Sequence, residues 1–320
     1  MLKRVLALVL VLCAMLLCAC VSQKPEADTS TVEDLDTVCF TDALSREVRV
    51  KRNPQRVAAL LGSFAEVWVL SGGRLCAAAS DAWEDFGLEL TDAVNLGGAH
   101  SPSLERLIAA DPDLVIASAS TASNVEMKDA LENLGITVAY FDVDHFEDYL
   151  HMLDICTEIT GRRDLYAQNG TALRARIEQI KAAYANAPIP SEERKILLLR
   201  ASSTTVKAKG SVGTVLGEML SDMGCINIAD SDKSLLETLS VEAVMKENPY
   251  HIFVVTMGDH PEAAVASVNR LIKENPAWAG LGAVCEGRLH VMDRRLFNLK
   301  PNARWAEAYE TLASILQQRA

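Results

Sequence analysis

Ser103-Leu-Glu-Arg-Leu-Ile-Ala-Ala-Asp-Pro-Asp-Leu-Val-Ile-Ala117 reads as a helix, a stop and a strand. Ser103 is placed to cap a short amphipathic helix, Asp111-Pro112 ends it, and Leu114–Ala117 is a short apolar run suited to a buried strand. The pattern returns 137 residues later as Ser240-Val-Glu-Ala-Val-Met-Lys-Glu-Asn-Pro-Tyr-His-Ile-Phe-Val254. Ser, Glu and Pro match in register. Two copies of one supersecondary unit predict two related lobes.

Working outward, Val57–Leu61, Cys76–Ala79 and Thr137–Phe141 read as further strands, with helices near Phe64–Leu70 and Asn124–Leu134. Phe40–Lys51 alternates like a leading hairpin. Strands alternating with helices at this spacing predict parallel α/β structure. Around the second copy, strands are expected at Ile196–Arg200, Thr205–Ala208, Ile252–Thr256 and Leu289–Met292. Helices are expected near Thr214–Met223, Val241–Glu247 and Glu262–Lys273, and from about Ala303 onward. Between the lobes, Asp164 to about Tyr184 carries Leu173, Ile177 and Ile180 at helical spacing, a helix about 30 Å long. The fold class is therefore α/β, with two Rossmann-like lobes of parallel sheet joined by one long helix. In open sheets of this kind ligands sit beyond the carboxyl ends of the strands, so the inter-lobe cleft is the expected site.

The first residues bear on the compartment. Lys3 and Arg4 precede the unbroken apolar run Val5–Leu17, which is shorter than the roughly 20 residues of a spanning helix and reads as a signal-peptide core. Leu17-Cys18-Ala19-Cys20 resembles a bacterial lipobox, with Cys20 as the lipidated first residue of the mature chain. Val21 to about Asp36 is polar and acidic, the composition of a tether. The expected organisation is a signal peptide at 1–19, a tether at 20–39, an N-lobe at 40–163, the linking helix at 164–186 and a C-lobe at 187–320. The anchor would be lipid alone, on the outer face of a bacterial cytoplasmic membrane.

The chain's 49% hydrophobic residues allow large cores, and its net charge of −12 argues against nucleic acid as partner. Cys39, Cys76, Cys156, Cys225 and Cys285 remain after the signal and Cys20 are set aside; the count is odd and no CxxC pair occurs, which disfavours a disulfide framework or a zinc site while leaving one or two disulfides open. There is no G-x-S-x-G, H-E-x-x-H or phosphate-binding Gly-Lys loop. No catalytic set emerges, and no enzyme activity or bound cofactor is expected.

Leu60–Glu66, Leu104–Leu107 with Asp111–Ile116, Gly224–Ala229 and the Asn298–Trp305 tail, in this order and with the lipobox and linking helix, resemble the substrate-binding lipoproteins of ABC importers for iron–siderophores, haem and vitamin B12. The resemblance spans about Phe40 to the C-terminus. It implies a monomer with little hinge closure, which takes a ferric siderophore, haem or corrinoid to a permease and its ATPase. It also implies a docking carboxylate on each lobe. On the N-lobe that position matches Glu105. On the C-lobe Ser221 stands near the family's acidic position, and Glu218 and Asp222 flank it.

Ligand contacts are expected at strand ends: Ser63, Phe64, Trp83, His100, Ser118 and His145, beside Asp144, on the N-lobe; Arg200, Lys207, Lys209, Met257, Arg295 and Phe297 on the C-lobe. The basic residues suit an anionic ferric chelate or haem propionates, and the aromatic ones a flat macrocycle or catechol. Met257 or His260 is a candidate axial ligand for haem iron. A bare-metal site, drawing on His100, His145 and His260, and a surface hydrolase are the competing readings.

Overall fold

The computed structural model describes residues 36–258 and 260–318. The signal segment, Cys20 and most of the tether lie outside the described residues. A hairpin opens the described chain, β1 (Thr37–Thr41) antiparallel to β2 (Glu47–Lys51), with Phe40 opposite Val48. Asp42 holds its turn, accepting hydrogen bonds from the amides of Leu44 and Arg46 at 3.0 Å each. Val38, Val48 and Val50 face the core. The hairpin thus begins three residues before Phe40, the first body residue expected from the sequence.

The N-lobe sheet is wholly parallel, in the order β5 (Val94–Asn95), β4 (Ala77–Ala78), β3 (Val57–Ala59), β6 (Leu114–Ser118), β7 (Thr137–Phe141). The C-lobe sheet runs β10 (Ile226–Asn227), β8 (Lys195–Ala201), β11 (His251–Thr256), β12 (Leu289–Val291), also parallel. Its fifth strand, β9 (Val206–Lys209), pairs with β8 in the antiparallel sense, a departure from the expected all-parallel lobe. Only Ser202–Thr205 connects the two, too short a link for a parallel crossover. Ser202 Oγ accepts from the amides of Thr204 and Thr205 and sets the turn.

The repeated unit folds the same way in both lobes. Ser103 Oγ accepts from Arg106 N at the start of helix Leu104–Ala109, and Ser240 Oγ accepts from Ala243 N at the start of helix Val241–Glu247. Asp111 (φ 49°) and Asn248 (φ 46°) then take the left-handed conformation immediately before Pro112 and Pro249. Short polar side chains tolerate that region, and a following proline disfavours further helix. Each unit delivers the chain into an interior strand of its sheet, β6 or β11.

The linking helix runs Arg163–Tyr166, a π turn Ala167–Thr171, then Ala172–Ala185. The wider turn seats Gly170 against Leu150, where a Cβ would lie 3.0 Å from Leu150 Cδ2. Tyr149 Oη donates to Asn169 O at 2.8 Å. The C-terminal helix Trp305–Gln317 packs along the linking helix and buries Trp305, Tyr309, Leu312 and Leu316.

One apolar core crosses both lobes. It joins Val57 and Ile116 of the N-lobe sheet, Tyr149 and Leu153 of helix Phe146–Ile159, Ile177 and Ile180 of the linking helix, Leu198 and Phe253 of the C-lobe sheet, and Trp305. Trp305 meets Phe146 edge-on at 5.8 Å between ring centroids. Separating the lobes would expose this surface, at about 25 cal/mol per Å² of apolar area. Full-chain protein in solution scattering is therefore expected to show nearly equal radii before and after ligand is added; a hinged protein would contract by several ångströms.

At the amino end of β11, His251 Nδ1 lies 3.0 Å from His290 Nε2, while His251 Nε2 is buried without a partner. Burial, with the nearby His290 and Arg288, pushes the His251 imidazole down to about 4. The folded state therefore binds fewer protons than the unfolded state between about pH 4 and 6.5, so this contribution to stability is full above the unfolded pKa and is lost as pH falls through that window. The loss is on the order of 3 kcal/mol. Urea unfolding at pH 7 and pH 4.5 is expected to show a smaller drop for His251→Phe than for the wild type.

Candidate functional site

The ends of the two sheets meet across a band of charged side chains. Arg295, on the short helix Arg294–Phe297 after β12, donates to Glu66 Oε2 at 2.5 Å and to Lys300 O at 2.7 Å, and lies over the Phe86 ring at 4.1 Å. Glu66, on helix Gly62–Leu70, also accepts from Asn302 Nδ2 at 2.6 Å. Asn302 Nδ2 donates to Ser63 O as well. Burial pushes the Glu66 carboxyl up, against the opposing pull of Arg295 and Asn302. Arg294 pairs with Asp85, and Lys300 Nζ lies 3.0 Å from Asp144 Oδ1. These contacts tie the loops after the N-lobe strands to the final C-lobe segment.

His145 forms another tie. Its Nδ1 lies 2.7 Å from Asp148 Oδ2 and its Nε2 3.1 Å from Glu218 Oε1. Burial alone would lower the imidazole, but the Asp148 hydrogen bond and the Glu218 charge raise it overall. Both nitrogens are occupied, so His145 is not the open ligand contact expected from its strand-end position.

The other expected contacts divide by burial. Phe64, Ser118 and Phe297 are each about 1% exposed and turned into the core. They offer a ligand no face here, because the apolar rings gain more from packing and Ser118 Oγ meets Ser120 Oγ at 3.1 Å. Ser63 is buried on the same helix as Glu66. Arg295 departs from expectation most, since its guanidinium serves the inter-lobe pair. Trp83 is half-buried against the shared core, and His100 lies on the exposed turn before Ser103. Met257 is 44% exposed and, with Ser202, Ser203, Gly258 and His260, lines an open depression of about 230 Å³ beyond the ends of β8 and β11.

Arg200 and Lys209 lie on β8 and β9. Burial pulls the Arg200 guanidinium down while Asp144 across the lobes raises it, and Arg200 Nε is buried without a partner. Burial, Arg200 and Lys207 together pull the Lys209 ammonium down. Among the described residues no three His, Cys, Asp or Glu gather in a metal-holding group. Cys39, Cys76, Cys156, Cys225 and Cys285 are free thiols.

Glu105 is exposed in the first turn of its helix. The expected C-lobe partners are already engaged within the chain: Glu218, largely covered, faces His145 and accepts from Gly213 N, and Asp222, though exposed, accepts from Tyr309 Oη at 2.8 Å and meets Lys181 at 3.1 Å. The C-lobe counterpart of Glu105 is Glu242, two residues after the Ser240 cap, exposed and accepting a hydrogen bond from Ser240 Oγ at 2.8 Å. The repeat itself carried the signal for it.

Two α/β lobes on a common core, with a long helix between them and a charged seam where the strand ends meet, are the architecture of a two-lobed binding protein. The chain belongs to the periplasmic binding protein family, whose model matches residues 57–296. It is 23% identical to the uncharacterized ABC transporter substrate-binding lipoprotein YvrC of Bacillus subtilis, covering 95% of this chain and 94% of that one. Staphylococcus aureus SirA, solved with staphyloferrin B, superposes with a TM-score of 0.66 at 19% identity, over 88% of this chain and 98% of that one. The periplasmic heme-binding protein RhuT of Roseiflexus sp. RS-1, solved in apo form, gives 0.67 at 20% identity, over 82% and 97%.

Proposed function

We propose that this chain is the extracytoplasmic, lipid-anchored substrate-binding protein of an ABC importer. It captures an iron complex, a ferric siderophore or haem, between its lobes and hands it to the permease. The observation that carries the reading is the matched pair Glu105 and Glu242, one exposed carboxylate at the same point of the repeated unit on each lobe. Such a pair suits a partner presenting two basic sites, where charge complementarity sets register and encounter rate. YvrC, named as a substrate-binding lipoprotein, supports the transport role, and SirA and RhuT support an iron complex as cargo.

The capture step is tested by titrating purified full-chain protein with ferric siderophores, haemin and cyanocobalamin. Saturable binding to a ferric siderophore or haemin is expected, and binding to none of them would overturn the reading. The anchor rests on the Leu17–Cys20 lipobox. Replacing Cys20 by Ser is expected to move the protein from the membrane to the soluble fraction. A variant still quantitatively membrane-bound would contradict lipidation.

A further inference from the structure

Three cations share one face of the β8–β9 ribbon. The antiparallel register sets Arg200 opposite Lys207 and Leu198 opposite Lys209. Residues two apart on a strand point the same way, so Arg200, Lys207 and Lys209 project together, with about 5 Å across the ribbon and ~7 Å along it. None of the three side chains makes a hydrogen bond or ion pair with the described residues. This sets Arg200 apart from Arg46, Arg288, Arg294 and Arg295, which are also partly or fully withdrawn from solvent and all paired. Asp144 reaches Arg200 only at long range and is already held by Lys300.

Like charges facing one another on a sheet are destabilising, and a guanidinium nitrogen buried without an acceptor is more so. The empty protein holds this arrangement at a cost that an incoming anion offsets through charge-assisted hydrogen bonds. Arg200 feels the charge of Asp144 on the N-lobe loop after β7, which puts the cations on the inter-lobe side. Their spacing matches a ligand with at least two anionic groups a few ångströms apart.

We propose that the captured ligand is a polyanion whose carboxylate or other oxyanionic groups are held by Arg200, Lys207 and Lys209. The inference rests on the importer reading and narrows it: a polyanionic ferric chelate or a haem through its propionates meets the requirement, and a neutral corrinoid does not. The test titrates wild-type, Lys207→Gln/Lys209→Gln and Arg200→Gln proteins, at low and high salt, with ferric citrate, ferric enterobactin, haemin, ferrioxamine B and cyanocobalamin. Binding is expected to be confined to ferric citrate, ferric enterobactin or haemin and to fall with salt. The affinity should drop at least about tenfold in each variant, the size of one lost charge-assisted bond. Thermal melts of the ligand-free variants should match or exceed the wild type, since repulsion is relieved; this separates lost recognition from lost folding. The binding arms separate a siderophore from haem. Binding of cyanocobalamin or ferrioxamine B without the anions, or anion binding that the variants leave unchanged, overturns the inference and leaves the importer reading standing. Binding of no probe overturns both.

Discussion

Replacing Arg295 by Ala is expected to lower the free energy of unfolding by ~3–5 kcal/mol, the usual cost of removing one partner of a buried ion pair. Arg295 and Glu66 have side chains only 14% and 17% exposed, and they meet at 2.5 Å across the lobes. Without the guanidinium, Glu66 keeps Asn302 Nδ2 as its one side-chain donor among the described residues, in surroundings that already favour the protonated carboxyl. Lys300 O loses its donor and Phe86 its covering cation in the same step. The double variant Glu66→Leu/Arg295→Met should recover most of the loss, because an apolar pair of similar volume carries no desolvation penalty. Urea unfolding of the three proteins checks this. A single-variant loss below ~1 kcal/mol would class the contact with exposed ion pairs and remove it as a lock between the lobes.

Much of the fold was legible because local rules and tertiary packing agree. Leu114–Ser118 and His251–Thr256 are buried throughout and apolar at every position but their ends, Ser118, His251 and Thr256, as strands covered on both faces are, and each follows a Ser-capped helix and a proline stop. The linking helix was legible from Ile177 and Ile180. Its π turn was not, because it answers to Leu150 packing from another helix. The two-residue strands β5 and β10 are too short for any periodicity to register. The antiparallel sense of β9 was within reach, since four residues between Arg200-Ala201 and Val206 admit only a hairpin.

The site was far less legible. Phe64 and Phe297 sit at strand-end positions that suit either a ligand or the core, and only three-dimensional packing decides between them. The Glu66–Arg295 and Asp144–Lys300 pairs join residues 229 and 156 positions apart, a separation at which sequence spacing carries no signal. Glu218 is covered by His145 from another element, and Asp222, though exposed, is tied to Tyr309 and Lys181, partners that lie far away in sequence. Glu242 was readable from the repeat, because the unit that places Glu105 places it too.

Delivery by two matched acids is the central claim, and transport with capture held constant tests it most directly. Cells whose sole copy of this chain carries Glu105→Ala and Glu242→Ala should be compared with wild type for uptake of radioactive iron, supplied at saturating concentration in the complex that the protein binds. Both carboxylates are exposed on short helices remote from the Glu66–Arg295 seam in sequence, and neither has a charged partner within the described chain. Their removal should therefore leave ligand affinity and melting temperature unchanged. Uptake should fall at least about tenfold, because each lost interfacial charge pair costs ~1.5 kcal/mol or more. Wild-type uptake by the double variant, or a loss of ligand affinity in place of uptake, would contradict the account.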